Sequence, residues 1–213
     1  MTGKIKLNAA SGGGSVSFQA PSSTGDDRII TLPTTADGTV LTTTNPKAGN
    51  IIQVVQAVKT DTASQAGAIA TALNFDSLFS QAITPSSSSN KIEVNFNLSV
   101  SVSAAPNQIF FRLRRKIGSG SFADITDIMG NTAGSRYRCM HSAINSDNQY
   151  MMPTINLNFL DSPSTTGAVT YSFSAAHDSG STRTIFINRE GGSYNDTYVP
   201  RGASSIILRE VAA

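Results

Sequence analysis

The sequence predicts an all-β protein, and three observations support this fold class. Charged residues make up only 14% of the 213-residue chain, whereas an average domain has about 25%. Short apolar stretches alternate with polar residues at a period of two, which is typical of strands with one wet face. Clusters of turn-forming residues separate these stretches. Eight to ten strands at this spacing predict a β-sandwich or jelly roll.

The clearest alternation lies at residues 91–103, KIEVNFNLSVSVS. Its apolar side chains share one face, and they are Ile92, Val94, Phe96, Leu98, Val100 and Val102. Residues 108–118, QIFFRLRRKIG, continue the pattern with a second apolar face. The intervening AAPN at residues 104–107 predicts a turn. We therefore expect these two strands to form a hairpin.

Further strands are predicted at residues 50–60, 154–161, 167–177, 182–190 and 204–212. Residues 64–83 are the one helical competitor, because several of their apolar residues fit a helical stripe. Gly67, Thr71 and Asn74 interrupt that stripe, and ITPSSSS ends it.

A change in composition near residues 41–50 predicts a boundary between an N-terminal arm, residues 1–48, and a β-sandwich, residues 49–213. The apolar residues of the arm are Val16, Phe18, Ile29, Ile30, Leu32, Val40 and Leu41. They are too few to stabilise the arm alone, because each ordered residue costs about 1.5 kcal/mol of conformational entropy. We therefore expect the arm to intertwine with sister chains or to lie on another protein.

Charge and cysteine content exclude several classes of protein. The formal net charge is only +2, which argues against nucleic-acid binding. A single cysteine, Cys139, allows no disulfide within the chain. The N-terminal residues lack the apolar core of a secretion signal, and no stretch of about 18 apolar residues exists. We expect a protein folded in a reducing cytosol, without membrane contact.

Neither catalysis nor metal binding has support in the sequence. The two histidines are His141 and His177, and His177 lies in a polar AAHDSG stretch that predicts a solvated turn. No G-x-S-x-G elbow is present. Asp and Asn cluster at residues 24–27, 146–148 and 194–196, but without EF-hand spacing, and these residue types are common in turns. The sequence therefore predicts a non-enzymatic protein without cofactor or metal.

Four stretches together resemble a known family of virion proteins. They are SVSFQAPSSTGDDRIITLPTTADGTVLTT (15–43), AITPSSSSNKIEV (82–94), FLDSPSTTGAVTYSFSA (159–175) and SSIILREVAA (204–213). The first resembles the N-terminal module of tail-fibre-like and head-fibre-like proteins of tailed phages, common among marine and cyanobacterial phages. The others resemble elements of the β-domain that follows in such proteins.

This resemblance implies a trimer with a jelly roll like that of tumour necrosis factor or the C1q head. It implies a structural protein of a phage virion, assembled in the host cytoplasm. The chain would form a homotrimeric short fibre or a capsid decoration protein, and its arm would bind other virion proteins of the capsid or tail. The alternative is a carbohydrate-binding module of the tail-fibre apparatus that recognises a host surface glycan. Head and tail locations both stay open.

A basic stripe on the second strand of the predicted hairpin is a candidate docking surface. Arg112, Arg114 and Lys116 alternate and therefore share one strand face. They could dock to an acidic capsid surface or an anionic polysaccharide, or face carboxylates such as Glu93 on the next strand. Arg115 lies on the apolar side, where we expect a buried or inter-subunit ion pair, because a lone charge there is costly.

Tyrosines near loops are candidates for stacking on sugars or on a partner chain. They are Tyr137, Tyr150, Tyr194 and Tyr198.

Overall fold

The computed structural model describes residues 4–19, 25, 46–104, 107–145, 150–192, 195–197 and 199–213. Contacts divide the chain into two units, Met1–Val40 and Leu41–Ala213. In the first unit, β1 (Lys4–Asn8) and β2 (Ser15–Gln19) form an antiparallel hairpin. The predicted role of residues 1–48 as a separate arm stays a prediction.

The second unit is built from twelve strands and one 3-10 turn among the described residues. The strands are β3 (Ile51–Lys59), β4 (Ala63–Gly67), β5 (Leu73–Asn74), β6 (Gln81–Ile83), β7 (Lys91–Val102), β8 (Asn107–Ile117), β9 (Ala123–Asp124), β10 (His141–Asn145), β11 (Thr154–Asp161), β12 (Val169–His177), β13 (Arg183–Ile187) and β14 (Ser204–Val211). The turn spans Thr126–Ile128. The all-β prediction is confirmed, and each long strand predicted from alternation is present.

Two antiparallel sheets form a β-sandwich. The first sheet has the order β3-β14-β7-β13-β4, with β11 also paired to β7, and the second has the order β10-β8-β12-β5, with β6 paired to β12. Numbering β3, β6, β7, β8, β10, β11, β12 and β14 from 1 to 8 gives the orders 1-8-3-6 and 2-7-4-5. This is the arrangement of a jelly roll, in which successive strands cross between two sheets. The predicted trimer stays a prediction.

The predicted hairpin of residues 91–103 and 108–118 is wrong. Strand β7 lies in the first sheet, between β14 on one side and β11 and β13 on the other. Strand β8 lies in the second sheet, between β10 and β12. The connection between them therefore crosses the sandwich instead of closing a tight turn. Residues 64–83 form no helix, because they supply the short strands β4, β5 and β6 and the turns between them.

The core lies between the sheets and consists of the apolar residues that alternate inward. Phe173 of β12 is its centre, because Phe75 stacks on it with ring centroids 4.8 Å apart and Phe96 meets it edge-on at 5.8 Å. All three rings are at most 1% exposed. Such aromatic pairs add about 0.5–1.5 kcal/mol each beyond the burial of their surface.

Candidate attachment and assembly surfaces

The N-terminal hairpin has an uncovered apolar face. Ile5 of β1 lies opposite Phe18 of β2, and Leu7 lies opposite Val16 in the backbone register, so the side chains of Ile5, Leu7 and Phe18 share one face of the hairpin. The side chains of Ile5, Leu7 and Phe18 are 66%, 55% and 49% exposed. This face makes the start of the arm amphipathic, and the predicted attachment role of the arm stays a prediction. The other predicted attachment residues, Ile29, Ile30, Leu32, Val40 and Leu41, lie outside the described residues.

Sequence reasoning missed Ile5 and Leu7. The signal was present, because KIKLN alternates with a period of two and can pair with SVSFQ across the glycine-rich turn. The KIKLN stretch is only five residues long, so its alternation was not recognised as a strand.

The basic stripe on β8 is used largely within the chain. Arg114 donates from Nε to Asp124 at 3.1 Å and also pairs with Asp76. Arg112 donates to the second carboxylate oxygen of Asp124 at 2.9 Å and from Nε to the Arg138 carbonyl at 2.7 Å. Lys116 lies over the Phe122 ring, 5.2 Å from its centroid. We call Arg112, Arg114, Asp76 and Asp124 the charged layer.

The charged layer covers the outer face of the second sheet. Ser172 and Ser174 point outward from β12, opposite Arg114 and Arg112, and yet both are fully buried. The loop that carries Asp76 and the short strand β9 that carries Asp124 therefore cover this face. The specific partner expected for the stripe, Glu93, is wrong: Glu93 lies on the first sheet and pairs with Arg209 at 3.2 Å. Docking through the stripe stays a prediction.

The outer face of the first sheet carries few charged side chains: Arg209 and Glu93, which pair with each other, and exposed Lys91, which lies one row further along β7. Cross-strand register places its residues in three rows across β3, β14, β7 and β11. The rows are Val58, Ser205, Asn97 and Asn156; Gln56, Ile207, Asn95 and Asn158; and Val54, Arg209, Glu93 and Leu160. We call these residues the neutral face. Val54, Val58 and Leu160 are 56%, 57% and 46% exposed.

Glu210 joins two of the stretches that carry the family resemblance. It lies in the C-terminal REVAA and is fully buried. Its carboxylate accepts hydrogen bonds from the Ser86 amide at 2.6 Å, the Ser86 hydroxyl at 2.7 Å, Asn90 at 2.6 Å and Gln53 at 2.6 Å. Burial raises the pKa of Glu210, but the hydrogen bonds from Asn90, Gln53 and Ser86 outweigh it, so the pKa lies below its ordinary value. The SSSSN and REVAA stretches therefore meet at this carboxylate. We call Glu210 and its partners Gln53, Ser86 and Asn90 the carboxylate cage.

Asp161 has the same role in the LDSP and YSF stretches. Its carboxylate accepts a hydrogen bond from the Tyr171 hydroxyl at 2.6 Å and pairs with Arg115. Burial, and then the hydrogen bond to Asp161, raise the pKa of Tyr171, so the phenol stays protonated and donates. The ion pair expected for Arg115 is confirmed, and it lies within the chain. Because Asp161 belongs to the first sheet and Arg115 to the second, the cluster joins the two sheets.

The candidate tyrosines are only partly described. Tyr137 stacks on Phe110 with ring centroids 5.3 Å apart, and the Arg112 guanidinium lies 4.0 Å from its centroid. It lines an open groove of about 440 Å³ together with Gln108 and Asp178. Tyr150 is half-buried, and Tyr194 and Tyr198 lie outside the described residues. Sugar binding by these tyrosines stays a prediction.

Comparison with known proteins gives only a distant likeness. No family model and no curated protein matches the chain. Among solved structures, the D431N mutant VP2 protein of infectious bursal disease virus is similar at 14% identity and a TM-score of 0.38, over 97% of this chain and 44% of that chain. The infectious bursal virus derived T=1 particles give 13% and 0.37, over 93% and 46%. The chain thus spans less than half the length of these viral chains.

The described residues contain no group of three or more potential metal ligands, and none of their helices could cross a membrane. His177 was expected to be solvated, and this is wrong. It ends β12, is fully buried, and its Nε2 lies 2.9 Å from the Gly67 carbonyl oxygen. Because a carbonyl can only accept, Nε2 donates. His141 lies at the start of β10 and is exposed.

Proposed function

We propose that this chain is a non-enzymatic structural protein of a phage virion, a homotrimeric short fibre or capsid decoration protein. The sandwich projects from the particle, and the N-terminal arm attaches it to capsid or tail proteins. The jelly-roll strand order and the four stretches of resemblance support this proposal. The motif residues Asp161, Tyr171 and Glu210 serve the fold itself, which is what a structural protein requires.

The observation that carries the proposal is the open apolar face of the N-terminal hairpin. Two strands alone are at best marginally stable in water. Ile5, Leu7 and Phe18 nevertheless expose about half or more of their surface. Covering these three side chains would return roughly 1.5–3 kcal/mol each. A sister arm or a neighbouring virion protein is the natural cover, and either one fixes the chain to a larger assembly.

The test is incorporation of variants into particles. Replacing Ile5 and Leu7 by Asn removes the apolar face, and we expect the copy number per particle to fall at least about tenfold, since each lost side chain contributes more than 1.4 kcal/mol. Quantitative mass spectrometry of purified particles measures this number. The matched control replaces Lys4 and Lys6, which lie on the opposite face of the same strand, by Asn.

Normal incorporation of the Ile5 and Leu7 variant would overturn the attachment role of the hairpin. Loss of incorporation in the lysine control alone would show that charge, and not apolar burial, attaches the chain.

A further inference from the structure

We infer that the groove lined by Tyr137 and His177 binds a neutral saccharide. The inference goes beyond the proposed structural role, because it gives the sandwich a ligand of its own. It does not depend on how the N-terminal arm attaches.

The groove lies at one end of the second sheet, where β8 begins and β12 ends. Backbone groups tie its walls together. The Gln108 amide donates to the Asp178 carboxylate at 2.8 Å, and the Asp178 amide donates to the Gln108 carbonyl at 3.3 Å. The Ala70 amide donates to the His177 carbonyl at 2.9 Å. The groove is therefore preformed, and its volume of about 440 Å³ lies within the usual range of ligand sites, about 300–1,000 Å³.

Two buried polar atoms of residues that line the groove have no partner. Among the described residues, five buried side-chain atoms lack a hydrogen bond, and two of them are Tyr137 Oη and His177 Nδ1. Since Nε2 of His177 donates to the Gly67 carbonyl, Nδ1 of the neutral ring is an acceptor. Burial raises the pKa of Tyr137, so its hydroxyl keeps its proton and can donate. Buried polar groups are normally paired, so two such atoms at one groove indicate a ligand that bonds to them.

The other polar groups of the groove define the chemistry of that ligand. Asp178 offers a carboxylate acceptor, and Arg136 and Gln108 offer N–H donors. Within the described part of the chain, neither Arg136 nor Asp178 forms an ion pair. An anionic ligand would meet the Asp178 carboxylate, and a cationic ligand would meet the Arg136 guanidinium. Because a hydroxyl group both donates and accepts, an uncharged ligand with several hydroxyl groups fits these donors and acceptors alike.

The apolar lining fits the C–H face of a sugar ring. Ile69 is 50% exposed, and the Phe110 ring is half-buried. The ring of Tyr137 packs against Phe110 and the Arg112 guanidinium, so its hydroxyl is the group left for a ligand. Ala70 has a φ of 52°, a conformation that favours glycine, and such backbone strain is often found at ligand sites. Apolar surface beside a few polar groups that fix orientation is the usual composition of a binding site.

The experiment measures sugar binding by the full-length chain. The probes are an array of neutral oligosaccharides of glucose, galactose, mannose and N-acetylglucosamine, with sialylated and sulfated forms of the same sugars as the acidic set. The neutral sugar that binds best is then titrated by calorimetry. We expect Tyr137→Phe to weaken its binding about tenfold, because one hydrogen bond to the sugar is lost. The same variant should unfold at a higher temperature, because it removes a buried polar atom that has no partner in the fold.

A second variant removes exposed polar groups of the groove. Gln108→Ala combined with Asp178→Asn keeps the side-chain oxygen that accepts from the backbone amide of residue 108. We expect this variant to weaken sugar binding at least about tenfold as well. The matched control combines Gln56→Ala with Asp127→Asn, two exposed positions that do not line the groove. The control should bind the sugar as the unaltered chain does.

Nuclear magnetic resonance of the histidine rings locates the sugar. The chain has only two histidines. Addition of the sugar should shift the Nδ1 signal of His177 and leave that of exposed His141 unchanged. Unaltered affinity in both groove variants, or an unshifted His177 signal, would place the sugar elsewhere and overturn the inference.

A preference for the acidic set, or no binding to any sugar of the array, would also overturn the inference. None of these results bears on incorporation into particles, which the Ile5 and Leu7 variant tests separately.

Discussion

At the scale of single residues, the ion pair between Arg115 and Asp161 joins the two sheets of the sandwich. Arg115 occupies an inward position of β8, and Asp161 occupies an inward position of β11 in the other sheet. The sequence could predict that Arg115 needs a carboxylate, because alternation places it on the apolar side. It could not predict which one, because the two partners are 46 positions apart in the chain and meet only through the fold.

Glu210 shows a buried carboxylate held without a cation in its described contacts. Its partners are Gln53, Ser86 and Asn90, which together supply four neutral donors. Hydrogen bonds to a charged group contribute about 1.5–3 kcal/mol each before the cost of burying the charge is subtracted. The cage therefore joins β14 to β3 and to the loop before β7.

Replacing Glu210 by Gln should weaken the fold and reduce its acid sensitivity. The Gln amide would place a donor against donors, so we expect the free energy of unfolding at pH 7 to fall by about 1–3 kcal/mol. The folded-state pKa of Glu210 lies below its ordinary value of 4.5. Its ionised form therefore stabilises the fold above that ordinary value, and this contribution is lost as the pH falls through the folded-state pKa.

Urea unfolding at pH 7 and at about pH 3.5 measures both effects. The unaltered chain should lose more stability between these pH values than the Gln variant. Glu93→Gln is the matched control, because Glu93 pairs only at the half-exposed outer face. An unchanged acid dependence in the Glu210 variant would contradict the cage.

At the scale of elements, the sequence predicts strands well and their neighbours poorly. Period-two alternation located β7, β8, β11, β12 and β14, because each has one face on the core. The predicted β7–β8 hairpin failed for a physical reason: both edges of β7 are filled by β14, β11 and β13. A turn signal is local, whereas the occupation of a strand edge depends on residues far away in the chain.

For the same reason, the sequence predicted the basic residues of the charged layer but not the carboxylates that pair with them. Alternation placed Arg112, Arg114 and Lys116 on one face, but the carboxylates that pair with the two arginines come from a loop and from the two-residue strand β9, which are too short or irregular to show alternation. The neutral face had a clearer signal, since Asn95 and Asn97 alternate with core residues. Its cross-strand pairs with Asn158 and Asn156 needed the register of β11.

Asp124 should hold the β9 segment on the sandwich through the charged layer. Changing Asp124 to Asn keeps its shape but removes the charge that Arg112 and Arg114 share. We expect the Ile125 amide, which donates to the Leu113 carbonyl at 2.9 Å, to exchange with solvent about tenfold faster. Hydrogen exchange followed by NMR measures this rate.

Asp127→Asn is the control for this element, because Asp127 lies in the same segment and is exposed. Its amide pattern should match that of the unaltered chain. Equal exchange of Ile125 in all three proteins would mean that the loop is held without the charged layer.

At the scale of the whole molecule, the jelly roll places two unlike faces on one sandwich. One sheet is covered by the segments that carry Asp76 and Asp124, and the other presents the neutral face, in which the only two charged residues, Arg209 and Glu93, pair with each other. The two faces differ because the segments that carry Asp76 and Asp124 both adjoin strands of the second sheet, and they cover that sheet alone. The sequence could predict the sandwich, but the choice of covered face depended on the crossings between sheets.

The sandwich should fold without the N-terminal arm. Its core cluster runs from Leu73 to Leu208, with Val55 packed against it, and includes no residue of the N-terminal hairpin. Hydrogen bonds from Gly49 to Ala212 and from Ala212 to Asn50 close the β3–β14 end. A chain that begins at residue 46 keeps all of these contacts. We therefore expect its thermal midpoint to lie within about 2 °C of the full-length value by calorimetry, because no core burial is lost.

A chain that begins at residue 56 is the control: it removes half of β3 and the Gln53 bond to Glu210, and it should unfold at least about 5 °C lower. Loss of cooperative unfolding in the residue-46 chain would show that the arm is part of the folded core.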